Sequence, residues 1–263
     1  MAKRKGKKMI TITTNKGGVL KTSLSTNLAG VYSRKGKTLI IDTDNQGNVA
    51  LSFGVNPDEL DNTLYDVLLD GLDYHKAIYN VEKNIDILPS NDDMTFFDFD
   101  VLTNIKDYPR PFDLLKNSLR GIENEYDYIL IDTPPNLGLV HGNVLCFSND
   151  VLIPFQPENY SMRSLVKIIK SIFQFKKEQN PKLNILGVVG TLVDTRTNLH
   201  TDVLQECRRY CSENNIKMFE TVIPRSIRFA SSVAYEGKPA TLTDKNNELV
   251  QSYFELEREI YNV

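Results

Sequence analysis

A chain of 263 residues, 41% hydrophobic and 25% charged, can bury one substantial core and needs no second domain. Its formal net charge of −3 excludes a globally basic nucleic-acid binder, although Lys3, Arg4, Lys5, Lys7 and Lys8 crowd ahead of the first apolar run and leave an acidic body behind them. Three cysteines and the lack of a secretory h-region point to a reducing cytoplasm, and no stretch is long and apolar enough to span a membrane.

In chain order, residues 1–8 read as a basic arm, expected to be disordered, and residues 9–263 as one domain. A solvated tail is the preferred reading of the arm, a nucleic-acid contact the other. Residues 9–13 form an apolar, β-branched run that predicts the first strand, and residues 21–34 a helix. Between them lies Asn15-Lys16-Gly17-Gly18-Val19-Leu20-Lys21-Thr22. Two glycines let successive backbone N–H groups turn toward an anion, Lys21 can reach outer phosphates, and the Thr22 hydroxyl can ligate magnesium. The plain pattern GxxxxGK[ST] fails at both outer glycines, where Asn15 and Leu20 stand; the variant KGGxxK[ST], opening with Lys16, fits. A branched side chain at Leu20 either forces a strained φ or is tolerated and packs on the first helix.

Further strands are predicted at 38–41, 85–88, 128–131, 150–155 and 185–193, and further helices at 63–70, 111–124, 161–177, 199–214 and 246–261. Such alternation implies a mostly parallel sheet with helices on both faces. In 161–177 the stripe Leu165, Ile168, Ile169, Ile172 and Phe173 reads as core packing, and residues 91–110 read as an irregular surface excursion. Cys207 and Cys211 sit one helical turn apart, but with no second pair and no His at ligand spacing they read as ordinary thiols.

In open α/β sheets ligands sit beyond the carboxyl ends of strands. Two acidic ends stand there: Asp42-Thr43-Asp44-Asn45-Gln46-Gly47-Asn48 after 38–41, and Asp132-Thr133-Pro134-Pro135 after 128–131. The second is a Walker B pattern, in which one carboxylate joins the magnesium shell, so Thr22 and Asp132 are the metal candidates. An Asx turn capping a strand end is the other reading of the first.

The lysine-opened glycine loop resembles the deviant Walker A box of the ParA/MinD family of partition and positioning ATPases. The resemblance extends to segments such as Asn62-Thr63-Leu64-Tyr65, Ile153-Pro154-Phe155-Gln156-Pro157-Glu158, Asp194-Thr195-Arg196-Thr197 and Ile223-Pro224-Arg225-Ser226, which look like those of Soj and ParA proteins. It implies a single P-loop NTPase domain that binds ATP and Mg²⁺ through the loop Lys16, Gly17, Gly18, Val19, Leu20, Lys21, Thr22 and Ser23. It implies that Lys16 reaches into the partner subunit's nucleotide in a closed homodimer, that Asp44 orients the attacking water, and that Asp42 supports the metal shell. Lys16, Lys21 and Asp44 are thus the catalytic candidates. Pro224 and Arg225 are implied at the adenine pocket, and Arg196, Arg208, Arg209, Arg225, Arg228 and Lys238 at a surface that grips duplex phosphates without reading sequence.

The function implied is DNA partition in the cytoplasm on the nucleoid, with a centromere-binding partner of the ParB type stimulating hydrolysis. The short run ahead of the loop matches the Soj-like class, without a long DNA-reading extension. A MinD-like membrane switch would end in a basic amphipathic helix, whereas Glu255-Leu256-Glu257-Arg258-Glu259 is acidic. An iron-protein-like reductase needs cluster cysteines, a pattern Cys146, Cys207 and Cys211 do not follow. A positioning ATPase for another cargo and a small-molecule ligase on the same fold stay open.

Overall fold

The computed structural model describes residues 8–263. Eight strands form one sheet in the order β3-β4-β2-β5-β1-β6-β7-β8: β1 Lys8–Ile12, β2 Thr38–Asp42, β3 Tyr79–Glu82, β4 Ile85–Leu88, β5 Tyr128–Asp132, β6 Asp150–Phe155, β7 Asn184–Val193 and β8 Met218–Pro224. Every pairing is parallel except β3 with β4. The helices are α1 Lys21–Tyr32, α2 Asn48–Leu51, α3 Leu64–Leu69, α4 Phe97–Thr103, α5 Leu114–Ser118, α6 Leu139–Phe147, α7 Ser161–Glu178, α8 Asn198–Glu213, α9 Arg228–Ser231, α10 Ala240–Thr243 and α11 Glu248–Tyr261.

Strand side chains alternate between two cores, which is why the central strands read as continuous apolar runs. Ile10, Ile40 and Leu130 face α1 and α11 in one cluster, while Met9, Leu39, Ile41, Ile129 and Ile131 join Leu115 and Val144 in another. A third cluster sets Val151 and Ile153 of β6 against Leu165, Ile168 and Ile172 of α7.

The structure revises several sequence expectations. Lys8 belongs to β1, paired in register with Tyr128, and its ammonium donates to the Ile260 carbonyl at 2.9 Å, so it is no part of an arm; Lys3, Arg4, Lys5 and Lys7 lie outside the described residues. Strands β3 and β8 escape the periodicity because both are sheet edges carrying Asn80 and Glu82, or Glu220 and Thr221, on half-exposed backbone. The excursion at 91–110 holds a helix: α4 buries Phe97 and Val101 but exposes Phe99 and Leu102, and Phe96 just ahead of it is exposed too, so its apolar content gives no one-sided stripe. The helix expected at 111–124 breaks into α5 and a 3₁₀ turn Ile122–Asn124, divided by Gly121 at φ 95°. Helix α6 was not expected.

Phe173 is 45% exposed, outside the core in which Leu165, Ile168, Ile169 and Ile172 are at most 2% exposed. Ile168→Ala is therefore expected to cost about 2–5 kcal/mol in urea unfolding, and Phe173→Ala less than about 1 kcal/mol.

Candidate functional site

The carboxyl ends of β1, β2 and β5 converge because Ile12 and Asp42 both lie in register with Asp132. After β1 the chain turns through Gly18 at φ 71° and Leu20 at φ 68°, then enters α1. No side chain caps α1 and no acid sits in its first turn. Its N–H groups and the positive end of its dipole are therefore not paired with a side chain, and a Cβ at Gly17 or Gly18 would meet nothing within 4 Å.

Lys21 stands at that helix end with only 8% of its surface exposed, its Nζ donating to the Lys16 carbonyl at 3.3 Å. Burial pushes its pKa below the ordinary lysine value, while Asp132 and Asp44 oppose that shift. Thr22 Oγ1 donates to one oxygen of Asp132 at 2.6 Å and Ser25 Oγ to the other at 2.9 Å. Ser25 went unnoticed in the sequence; it lies on α1 a turn beyond Thr22, which was the available signal.

Asp42 is fully buried beside Asp132, and burial raises both carboxyl pKa values, Asp132 to about 6. Each Asp42 oxygen accepts a backbone N–H, from Asp44 at 3.0 Å and from Val49 at 3.0 Å. Asp42 thus pins the turn that leads into α2, the Asx-turn role, with each of its oxygens accepting a backbone amide. Gly47 in that turn adopts φ 60°, and a Cβ there would lie 2.8 Å from the Ser90 carbonyl. Asp44, by contrast, lines the cleft in front of the loop.

Among the described residues no group of three or more His, Cys, Asp or Glu is arranged to hold a metal alone. Thr22 and Asp132, a hydroxyl and a carboxylate 2.6 Å apart, could together hold a magnesium ion that kept its remaining oxygens from water and phosphate.

Lys16 points away from Lys21. Its Nζ sits 2.8 Å from Glu158 Oε2 and 3.4 Å from Ser161 Oγ at the start of α7. Glu158, to which sequence reasoning gave no role, also draws Arg225 to 3.8 Å. Arg225 and Pro224 accordingly do not line the cleft of about 570 Å³ that opens at the loop. Its far wall comes from the next turn, with Ser226, Phe229, Ala230 and Val233, and Ser23 and Asn27 belong to its lining too. That wall is apolar enough to pack against a flat ring.

The remaining predicted phosphate-gripping cations do not gather. Arg196 is held by Asp194, Arg228 by Asp244 and Glu236. Arg208 pairs with Glu220 on β8 and Lys238 with Glu82 on β3, at opposite edges of the sheet. Arg209 is exposed.

Helix α4 touches both acidic loops. Thr95, just ahead of it, accepts the Asn45 amide at 2.8 Å, and Asp98 accepts the Leu139 N–H at 3.2 Å beyond the Asp132 turn.

Leu20 combines both sequence alternatives, since it is left-handed and also packs against the core around α1. Leu20→Ala loses packing and keeps the strain, whereas Leu20→Gly loses packing and the strain. Denaturant unfolding is therefore expected to find the glycine variant more stable than the alanine variant by about 1 kcal/mol. The raised Asp132 pKa carries a second expectation. Between its ordinary value of 3.8 and about 6 the unfolded state binds fewer protons than the folded state, so this group's contribution to stability falls as pH rises through that window. Without nucleotide, Asp132→Asn should therefore gain stability over the native protein at pH 7.5 by more than it does at pH 4.5, read from urea midpoints.

The chain matches the AAA domain family over residues 7–185. It is 35% identical over 269 residues to a ParA family protein of Mycoplasma pneumoniae, covering 97% of both chains. It is 34% identical over 255 residues to the sporulation initiation inhibitor protein Soj of Bacillus subtilis, covering 96% of this chain and 98% of Soj. Among solved structures, cobyrinic acid a,c-diamide synthase from Mycobacterium smegmatis with bound ATP analogue and magnesium superimposes with a TM-score of 0.83 at 25% identity, covering 97% of this chain and 94% of the synthase. With the lysine-opened glycine loop at the end of β1, the paired aspartates at the ends of β2 and β5, and full-length identity above 30% to Soj, the chain belongs to the ParA/Soj family of partition ATPases.

Proposed function

We propose that the protein hydrolyses ATP as the switch of a DNA-partition system. The observation that carries this reading is the uncapped N-terminus of α1 facing Lys21, with Thr22 and Asp132 joined beside it and Asp44 across the cleft. The loop amides and Lys21 hold the phosphates, and the wall from Ser226 to Val233 takes the base. Thr22 and Asp132 would hold magnesium, which when bound neutralises charge on the outer phosphates. Asp44 orients the attacking water by accepting its hydrogen, and the protein's contribution is positioning and electrostatic stabilisation.

In this reading Lys16 has two partners. Glu158 holds it in the single chain, and in the closed homodimer it crosses to the other subunit's phosphates. The closed dimer binds DNA without sequence preference on the nucleoid, and a basic centromere-binding partner of the ParB type releases it by stimulating hydrolysis. The Soj and ParA relatives support this reading. The likeness to the diamide synthase keeps a small-molecule ligase as the second reading, because the two share this fold.

Sedimentation with a slowly hydrolysed ATP analogue and magnesium separates the roles. Lys21→Ala should lose nucleotide binding. Lys16→Ala should bind nucleotide as a monomer and fail to dimerise, and an unchanged dimer fraction would count against the crossing role. Glu158→Gln, which unties Lys16, should dimerise at lower nucleotide concentration. With ATP itself, Asp44→Ala should accumulate as an unhydrolysing dimer.

A further inference from the structure

Helix α7 carries a single-sign face that the nucleotide chemistry does not use. At about 100° per residue, Arg163, Lys167, Lys170, Gln174 and Lys177 fall within an arc of about 80°. All five are exposed, and the buried Leu165, Ile168, Ile169 and Ile172 occupy the opposite side. Among the described residues none of the four cations has an ion-pair partner, whereas Arg196, Arg208, Arg228 and Lys238 are each held by a carboxylate. The one acid of the helix, Glu178, is hydrogen-bonded by Gln174 at its far end. The other long surface helices differ: α8 mixes Asp202, Glu206 and Glu213 with its arginines, and α11 is acidic.

An ordinary solvated helix face does not account for this arrangement. Lys177 is favoured by the negative end of the helix dipole, but Arg163 lies in the first turn, where a cation is disfavoured and where α7 has no acid to offset it. Like charges three and four residues apart repel each other, so the row from Arg163 through Lys167 to Lys170 works against helix stability. A polyanion reverses both penalties. From Arg163 to Lys177 the face spans about 21 Å at 1.5 Å per residue, a length over which duplex DNA presents about twelve phosphates.

We propose that this face of α7 is a duplex-phosphate contact surface, and the proposal rests on the DNA-binding reading above. Flexible lysines at this spacing contact phosphates without reading bases, so binding is insensitive to sequence. The face also has a link to nucleotide state: α7 begins at Ser161, which together with Glu158 holds Lys16 of the phosphate loop. Release of Lys16 removes one contact from the end of the helix that carries Arg163.

The test is fluorescence anisotropy on a random-sequence 24-base-pair duplex, with the slowly hydrolysed ATP analogue and magnesium, over a salt series. The proteins are the full chain, Lys167→Glu/Lys170→Glu, Lys167→Gln/Lys170→Gln and Lys167→Arg/Lys170→Arg. The glutamine pair is expected to bind at least tenfold more weakly, with the slope of log affinity against log salt reduced by about two, and the arginine pair to bind as the native chain does. The glutamate pair should be weaker still, and basal ATP hydrolysis should be unchanged in all of them. Native affinity and slope in the glutamine and glutamate pairs would overturn the α7 assignment while leaving DNA binding itself standing. No duplex binding by the native chain in any nucleotide state would overturn both. Capture of polyglutamate but not duplex, lost in the same variants, would assign the face to an acidic polypeptide and overturn the proposal as well.

Discussion

Two carboxylates placed side by side inside the protein govern the rest of the site. The parallel register of β2 with β5 sets Asp42 opposite Asp132, both with no exposed surface. Charged carboxylates in such a place are costly, and each is compensated differently. Asp42 takes two backbone amides and becomes a structural anchor, whereas Asp132 takes two hydroxyls from α1 and remains close to Lys21. Amides stay fixed, but hydroxyls can rotate to share their oxygens with a cation. By that asymmetry Asp132 is the carboxylate that would share its charge with a magnesium ion, and Asp42 the one that shapes the turn beneath Asp44.

The same organisation ties distant parts of the molecule to the loop. Lys16 is coupled through Glu158 and Ser161 to α7, and α4 reaches both acidic turns through Thr95 and Asp98. Each connection is a short polar contact between a rigid element and a loop, the kind of link through which a change at the phosphates can alter an outer surface. Exposed Phe96, Phe99 and Leu102 lie at the start of and along α4, and a basic row without an ion-pair partner among the described residues lies on α7. The two outward surfaces therefore differ in chemistry while sharing one site behind them.

Much of this is legible in the sequence because central strands are covered on both faces and so appear as unbroken apolar runs. All six such runs are strands. The edges β3 and β8 are invisible to that signal, since half-exposed edge strands carry polar residues. The phosphate loop was legible as a motif, whereas the left-handed conformation of Leu20 was one of two alternatives the sequence left open. Glu158 and Ser25 were not legible, since their roles come from neighbours 142 and 107 residues away along the chain. Most of the cations singled out with Arg225 are held by carboxylates, which is hidden for the same reason. Counting positive charge in sequence cannot show which of them already faces a carboxylate, and Asp42 shows the converse, a carboxylate already taken by amides.

The most direct measurement is calorimetric titration of magnesium and ATP into the protein at pH 6, repeated in buffers of differing ionisation enthalpy. Asp132 has its pKa raised to about 6 by burial, so it is partly protonated there. A cation bound beside it must draw that pKa down and expel protons. Net proton release on binding, abolished in Asp132→Asn, is the expected result. Binding of the magnesium nucleotide with no proton release, or with release unchanged in that variant, would contradict the assignment of Asp132 to the metal and with it the arrangement proposed for the site.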